Sequence, residues 1–233
     1  SSDVCSSDLF GDEIQLLHVK SLEEFTCKEA FIVANEIFDA FACEVIKGDE
    51  MLFIEEDEVV FNPMDEQTHE LAKALGVRKG ELCLEYEPFA KALKRACERY
   101  EFVTFDYGDK EAREDFSLRV YDKHHVYPFF ALTPLVEESI KEHKTMHELF
   151  QQSDITYDVN FTHLIHAFEK SGACVEMYAT QMKALVEFGL IELLEILQKN
   201  VSEKAYSSEM NKVKILIDPS FMGERFKMVC FRA

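Results

Sequence analysis

The chain has 233 residues, 47% of them hydrophobic, and a formal charge of 25 − 45 = −20. That length and apolar content suit one globular domain and exclude a disordered chain. The acidic balance excludes a nucleic-acid partner, because such affinity comes from Lys and Arg neutralising phosphates. No apolar run approaches the roughly 20 residues of a membrane helix. No signal-peptide pattern opens the chain, so a soluble, cytoplasmic protein is expected.

In chain order, residues 1–10 are set aside as a non-native or disordered start. Asp3-Val4-Cys5-Ser6-Ser7-Asp8-Leu9 reads either as a translated sequencing adapter or as a flexible Ser/Asp-rich opening. Residues 11–233 are expected to form one domain. Ile14 to Val19 is a short apolar run that suggests a strand. Ala30-Phe31-Ile32-Val33-Ala34 is nearly all apolar, as a parallel strand buried on both faces should be. Met51–Ile54 and Val59–Phe61 flank an acidic turn and predict a hairpin, which Asn62-Pro63 ends. Met64 to Leu75 reads as helical. Pro88 is expected to open the next helix, where its missing N–H does no harm. Phe89, Leu93, Ala96 and Tyr100 give that helix its apolar face.

Phe102-Val103-Thr104-Phe105 predicts a second buried strand, stopped by Asp106-Tyr107-Gly108. Residues 109–159 form a long irregular stretch of the kind that is functional or carries small elements of its own. Phe161, Leu164, Ile165 and Phe168 make a helix face, with Gly172 suited to its end. Cys174–Tyr178 predicts a strand, helices follow over about 181–188, 190–199 and 203–216, and Phe226–Phe231 closes the chain as a strand.

Strands alternating with helices predict an α/β fold with a mostly parallel sheet. Ligands gather at the carboxyl ends of such strands. Two places therefore stand out: Asn35-Glu36-Ile37-Phe38-Asp39 after the Ala30 strand, and Asp106-Tyr107-Gly108 after the Phe102 strand. An acidic residue after a strand can also simply cap the next helix. The seven Cys form no CxxC pair and read as reduced core thiols. His143 and His147, like His163 and His166, lack the partners that a metal site needs. No metal is expected.

Seven blocks then occur in an order that resembles the MidA family of S-adenosylmethionine-dependent methyltransferases, relatives of the mitochondrial complex I assembly protein-arginine methyltransferase. FIVANEIFDAF (31–41) is similar to that family's strand-four signature, and LEYEP (84–88) places Glu85 at its following Glu. FVTFDYG (102–108) resembles strand five. SLRVYDKHHVYP (117–128) matches at Arg119, Tyr121 and His124, and SDITYDVNFTHL (153–164) at Asp154, Thr156 and Phe161. YATQMKALVEFGL (178–190) and PSFMGERFKMV (219–229) complete the set. The chain departs from the pattern in three ways. Cys43 and its neighbours replace a Pro, the segment between His124 and Asp154 is long, and Gln151-Gln152 replace a Pro-Gly.

The resemblance implies a Rossmann-like class I methyltransferase core. The last strand would be antiparallel, the first strands missing, and helical and hairpin insertions added. It also implies methyl transfer from S-adenosyl-L-methionine to a protein side chain, arginine in the mitochondrial member. Glu36, Asp39 and Asp106 would be catalytic. Asn35 and Glu36 would bind the cofactor. Arg119, Tyr121, His124, Asp154 and Thr156 would meet the substrate. The chain's eight Gly include no GxG pair. The family's glycine-rich cofactor loop is thus absent, and residues 11–233 read as a domain fragment that binds the cofactor very weakly or not at all. The alternative function is a non-catalytic partner-binding or assembly factor that keeps the fold. In either case Ala30–Ala34 and Phe102–Phe105 should be parallel neighbours. Glu36, Asp39 and Asp106 should share a rim facing a cleft.

Overall fold

The computed structural model describes residues 18–55, 58–111, 113, 115–132, 149 and 152–233. The expectations for residues 1–10, Ile14–Leu17, His143, His147 and Gln151 fall outside them. After a short 3-10 turn, β1 (Cys27–Asn35) alternates as a strand buried on one face should. Ala30, Ile32 and Ala34 pack into the core, whereas Phe31 and Val33 are exposed on the other face. The strand is therefore buried on one face only, not on both. A 3-10 turn (Phe38–Ala40) leads into β2 (Glu44–Lys47), β3 (Glu50–Glu55) and β4 (Glu58–Pro63).

β3 and β4 form the expected hairpin. Helix α1 (Glu66–Leu75) opens on Asp65, whose carboxylate accepts from the Thr68 N–H at 2.8 Å, and stops at Gly76 in the left-handed region at φ 68°. β5 (Lys79–Leu82) follows, and a second antiparallel sheet takes the order β4-β3-β2-β5. The alternating apolar positions of β2 and β5 are too few for the pattern to reveal them. Helix α2 (Tyr86–Ala96) begins two residues before Pro88, which sits within its first turn.

β6 (Cys97–Asp109) is far longer than the sequence suggests. Tyr100 belongs to it, not to the preceding helix, because β1 pairs with β6 from Cys27↔Cys97 to Asn35↔Phe105 in parallel. Asp106-Tyr107-Gly108 does not stop the strand. The short β10 (Val159–Asn160) pairs with Gly108 and Asp109 and holds the backbone extended. Gly108 suits this place: its φ is 142°, and a Cβ there would overlap the Val159 backbone.

Residues 109–159 carry their own small sheet. β7 (Arg119–Asp122) lies between β8 (His125–Pro128) and β9 (Asp154–Thr156). Helix α3 (Phe161–Lys170) is capped by Asn160, and Gly172 takes φ 91° just beyond its end. β11 (Cys174–Thr180), α4 (Gln181–Glu187), α5 (Leu190–Asn200), α6 (Glu203–Ile217) and the one-turn α7 (Met222–Arg225) lead to β12 (Phe226–Arg232).

The main sheet has the order β1-β6-β12-β11. β12 runs antiparallel to both β6 and β11, so β1, β6, β10 and β11 all point one way and β12 alone opposes them. One face is covered by α2 and α3. There Phe168 stacks on Phe231 with ring centroids 4.0 Å apart, and Phe102 stacks on Phe168 at 5.5 Å. Alternate residues of the same strands face the other way. Val103, Met228, Cys230 and Ala179 pack there with Ala184 of α4.

Candidate active site

β1 and β6 are parallel neighbours, so the residues past Ala34 and those near Asp106 meet at one edge of the sheet. The Glu36 N–H donates to the Phe105 carbonyl at 2.8 Å and extends the ladder by one residue. Glu36 then turns the chain at φ 49°, one of two non-glycine residues in the left-handed region among those described. Such a conformation costs roughly 1–2 kcal/mol and has to be held by its surroundings. Here Asn35 Nδ2 donates to Glu36 Oε1 at 3.0 Å, and the rest of the Glu36 carboxylate is exposed.

The turn beyond Glu36 is held from beneath. Asp106 is fully buried. Its Oδ2 accepts from the Phe38 N–H at 3.0 Å and the Asp39 N–H at 3.4 Å, and its Oδ1 accepts from the Tyr107 N–H at 2.9 Å. Burial pushes the Asp106 carboxyl up to about 7, and the neighbouring Asp39 adds to the rise against those three N–H groups. Asp39 is buried too. The Tyr107 hydroxyl donates to its Oδ2 at 2.6 Å, while its Oδ1 has no hydrogen-bond partner among the described residues. The Tyr86 hydroxyl donates to the Phe38 carbonyl at 3.3 Å, and the Tyr157 N–H to the Asp39 carbonyl at 3.4 Å.

The expected open rim of three carboxylates is thus corrected. Only Glu36 faces solvent. Asp39 and Asp106 lie inside, because Phe38 carries the turn down into the aromatic core against Phe41, Tyr86 and Phe89.

From Tyr107 the polar contacts continue outward. The Arg119 guanidinium lies 4.9 Å from the Tyr107 ring centroid, and that of Arg225 lies 5.5 Å from it. Thr156, paired with Arg119 across β7 and β9, lies beside the Tyr107 hydroxyl. Arg119 bonds Asp158 at 2.6 Å, and Arg113 bonds the same carboxylate. The Ser117 hydroxyl accepts from the Asp158 N–H at 2.9 Å, and Glu81 accepts from the Ser117 and Leu118 N–H groups.

Of the substrate-side candidates, Arg119 and Thr156 join this cluster. Tyr121 and Asp154 face each other across β7 and β9 farther along, and His124 and Asp154 are exposed. Tyr107, Tyr157, Asp158, Arg225 and Glu81 hold the cluster together but do not stand out in the sequence. Only Tyr107 carries a local signal, as the residue after Asp106.

A family model described as "Putative S-adenosyl-L-methionine-dependent methyltransferase" matches residues 8–179. Two crystal structures from Burkholderia thailandensis share the fold. The native structure of an uncharacterized superfamily protein aligns with a TM-score of 0.68 at 21% identity, over 88% of this chain and 55% of that one. A superfamily member bound to S-adenosyl-homocysteine aligns with a TM-score of 0.67 at 21% identity, over 88% of this chain and 54% of that one. The chain therefore spans little more than half the length of these proteins. No curated protein matches it.

Proposed function

The chain belongs to this family of S-adenosyl-L-methionine-dependent methyltransferases, and from that premise we propose that its β1 turn forms one rim of a methyl-transfer site whose acceptor is a protein side chain, arginine by the MidA resemblance. One observation carries the reading. Glu36 is held in a strained left-handed turn at the carboxyl edge of the sheet, exposed, and among the described residues its carboxylate accepts only from Asn35. Strain kept at such a place points to function.

When bound, S-adenosyl-L-methionine supplies a methyl group on a sulfonium sulfur, for transfer to an aligned lone pair. The donor set suits it: Asn35 and Glu36 would hold it, since an exposed carboxylate and an amide can pair with its hydroxyl, amino and carboxylate groups. Glu36 also has the chemistry to orient a guanidinium, whose planar fork of donors matches a carboxylate. Asp106 and Asp39 contribute by fixing the turn that presents Glu36, and positioning of this kind supplies much of a transfer rate. Arg119 and Thr156 shape the inner wall. His124 and Asp154, with the half-buried Tyr121 beside Asp154, present a surface to a protein substrate.

A partner-binding role without catalysis is favoured by one fact. Two of the three candidate carboxylates are buried and committed to hydrogen bonds within the fold.

The test is transfer of a labelled methyl group from S-adenosyl-L-methionine to an arginine-bearing protein, by a protein that carries the family's glycine-rich cofactor loop ahead of residues 11–233, compared with its Glu36→Gln variant. The variant keeps size and hydrogen-bonding shape. It should transfer at least about a hundredfold more slowly, as when one preorganised electrostatic group is lost. Its melting temperature should be nearly unchanged. Normal turnover in the variant contradicts the catalytic role, and failure to fold assigns Glu36 to structure alone.

A further inference from the structure

Cys27 and Cys97 are the first residues of β1 and β6 and stand directly opposite each other in the parallel register. Their Sγ atoms are 3.1 Å apart. Paired strands lie about 4.8 Å apart, within the ~4.4–6.8 Å that a disulfide spans between Cα atoms. A small rotation of either side chain brings the sulfurs to bonding distance. We propose that Cys27 and Cys97 are a modification site: a dithiol that small-molecule disulfides oxidise reversibly, stapling β1 to β6.

The order of events follows from access. Cys27 is half-buried and Cys97 is buried. Burial, together with the adjacent Cys27 sulfur, holds the Cys97 thiol up to about 11, so Cys97 is the poorer first nucleophile. Cys27 therefore attacks one sulfur of the small disulfide as its thiolate, forms a mixed disulfide and expels one thiolate. Cys97 then loses its proton and attacks the Cys27 sulfur. The Cys27–Cys97 bond forms and the second small thiolate leaves. The two protons end on the two small thiols, two protein thiols are oxidised, and one small disulfide is reduced. With one sulfur half-exposed, the bond falls in the labile class that thiols reverse.

The staple acts where the sheet is least secured. Among the described residues β1 pairs only with β6, and its far end carries the strained Glu36 turn.

The experiment oxidises the 233-residue chain with glutathione disulfide and maps thiols by mass spectrometry before and after dithiothreitol. In the native chain the Cys27 and Cys97 thiols should be lost together, as one cross-linked peptide that dithiothreitol releases, whatever adduct the exposed Cys174 takes. Its melting temperature should rise by about 5 °C or more, because the bond closes a long loop of the unfolded chain. Cys97→Ser should instead hold a stable glutathione adduct on Cys27, and Cys27→Ser should leave Cys97 unmodified. The proposal is overturned if the native chain keeps a lasting adduct on Cys27, leaves both thiols free, or pairs either one with another cysteine.

Discussion

Replacing Asp106 with Asn removes a charge that the fold holds at a cost. The carboxyl titrates near 7 in the folded protein against an ordinary value of 3.8, because it is buried beside Asp39. Below both values it is protonated in folded and unfolded chains alike and contributes no pH dependence. As pH rises between them, the unfolded chain gives up its proton first, so the unfolded state gains and stability falls. Above the folded value the loss is complete, at about 4 kcal/mol. Asn resembles the protonated carboxyl and does not titrate. The stability of the variant relative to the native protein should therefore rise by about 3 kcal/mol between pH 5 and pH 8. A fixed offset applies at every pH. The amide can accept from Phe38 and Asp39 but turns its NH2 toward the Tyr107 N–H, which costs about 1–3 kcal/mol. Urea titrations of both proteins across this range separate the two effects: the offset shifts the curves, and the charge makes them diverge with pH. Two parallel curves would refute the argument that Asp106 is a destabilised buried acid.

Tyr107→Phe removes the donor to Asp39 and leaves a buried carboxylate oxygen without its partner. It should cost about 1–3 kcal/mol by urea unfolding, and an unchanged midpoint would show that Asp39 is solvated from elsewhere. Gly108→Ala places a methyl group against the Val159 backbone at φ 142°. Loss of hydrogen-exchange protection at Val159 and Asn160 should follow, with β6 and β1 still protected. Phe168→Ala empties the stack between Phe102 and Phe231 and should destabilise the chain by about 3–5 kcal/mol, read as an earlier urea midpoint.

The parts of the fold that the sequence makes legible are those in which one local pattern decides the element. Ala30–Ala34 and Phe102–Phe105 show as strands because both are short apolar runs, and they do lie parallel and adjacent; the hairpin around the acidic turn and the helices after Gln181 follow from equally plain periodicities. What stays hidden depends on partners distant in the chain. β6 continues through Asp106-Tyr107-Gly108 because β12, more than a hundred residues later, pairs with Asp106 and Tyr107, and β10, some fifty residues later, pairs with Gly108 and Asp109. β7, β8 and β9 are three or four residues each, too short to show a period. The burial of Asp39 and Asp106 is invisible for the same reason. The acidic residues mark the edge of the sheet, but whether they point to solvent depends on Phe38, Tyr86 and Tyr157, which converge from three separate segments. Asn35, Glu36 and Asp106 do come together at that edge, and the parallel-strand argument accounts for it.

In the proposed function the cofactor and the acceptor meet at the turn after β1. Titrating the labelled chain with S-adenosylhomocysteine to millimolar concentration, while following its amide resonances, tests this most directly because the readout works even when binding is weak. Progressive shifts should appear at Asn35, Glu36 and Asp39, and Glu36→Gln should largely abolish them. Saturable shifts confined to other parts of the chain would contradict this placement.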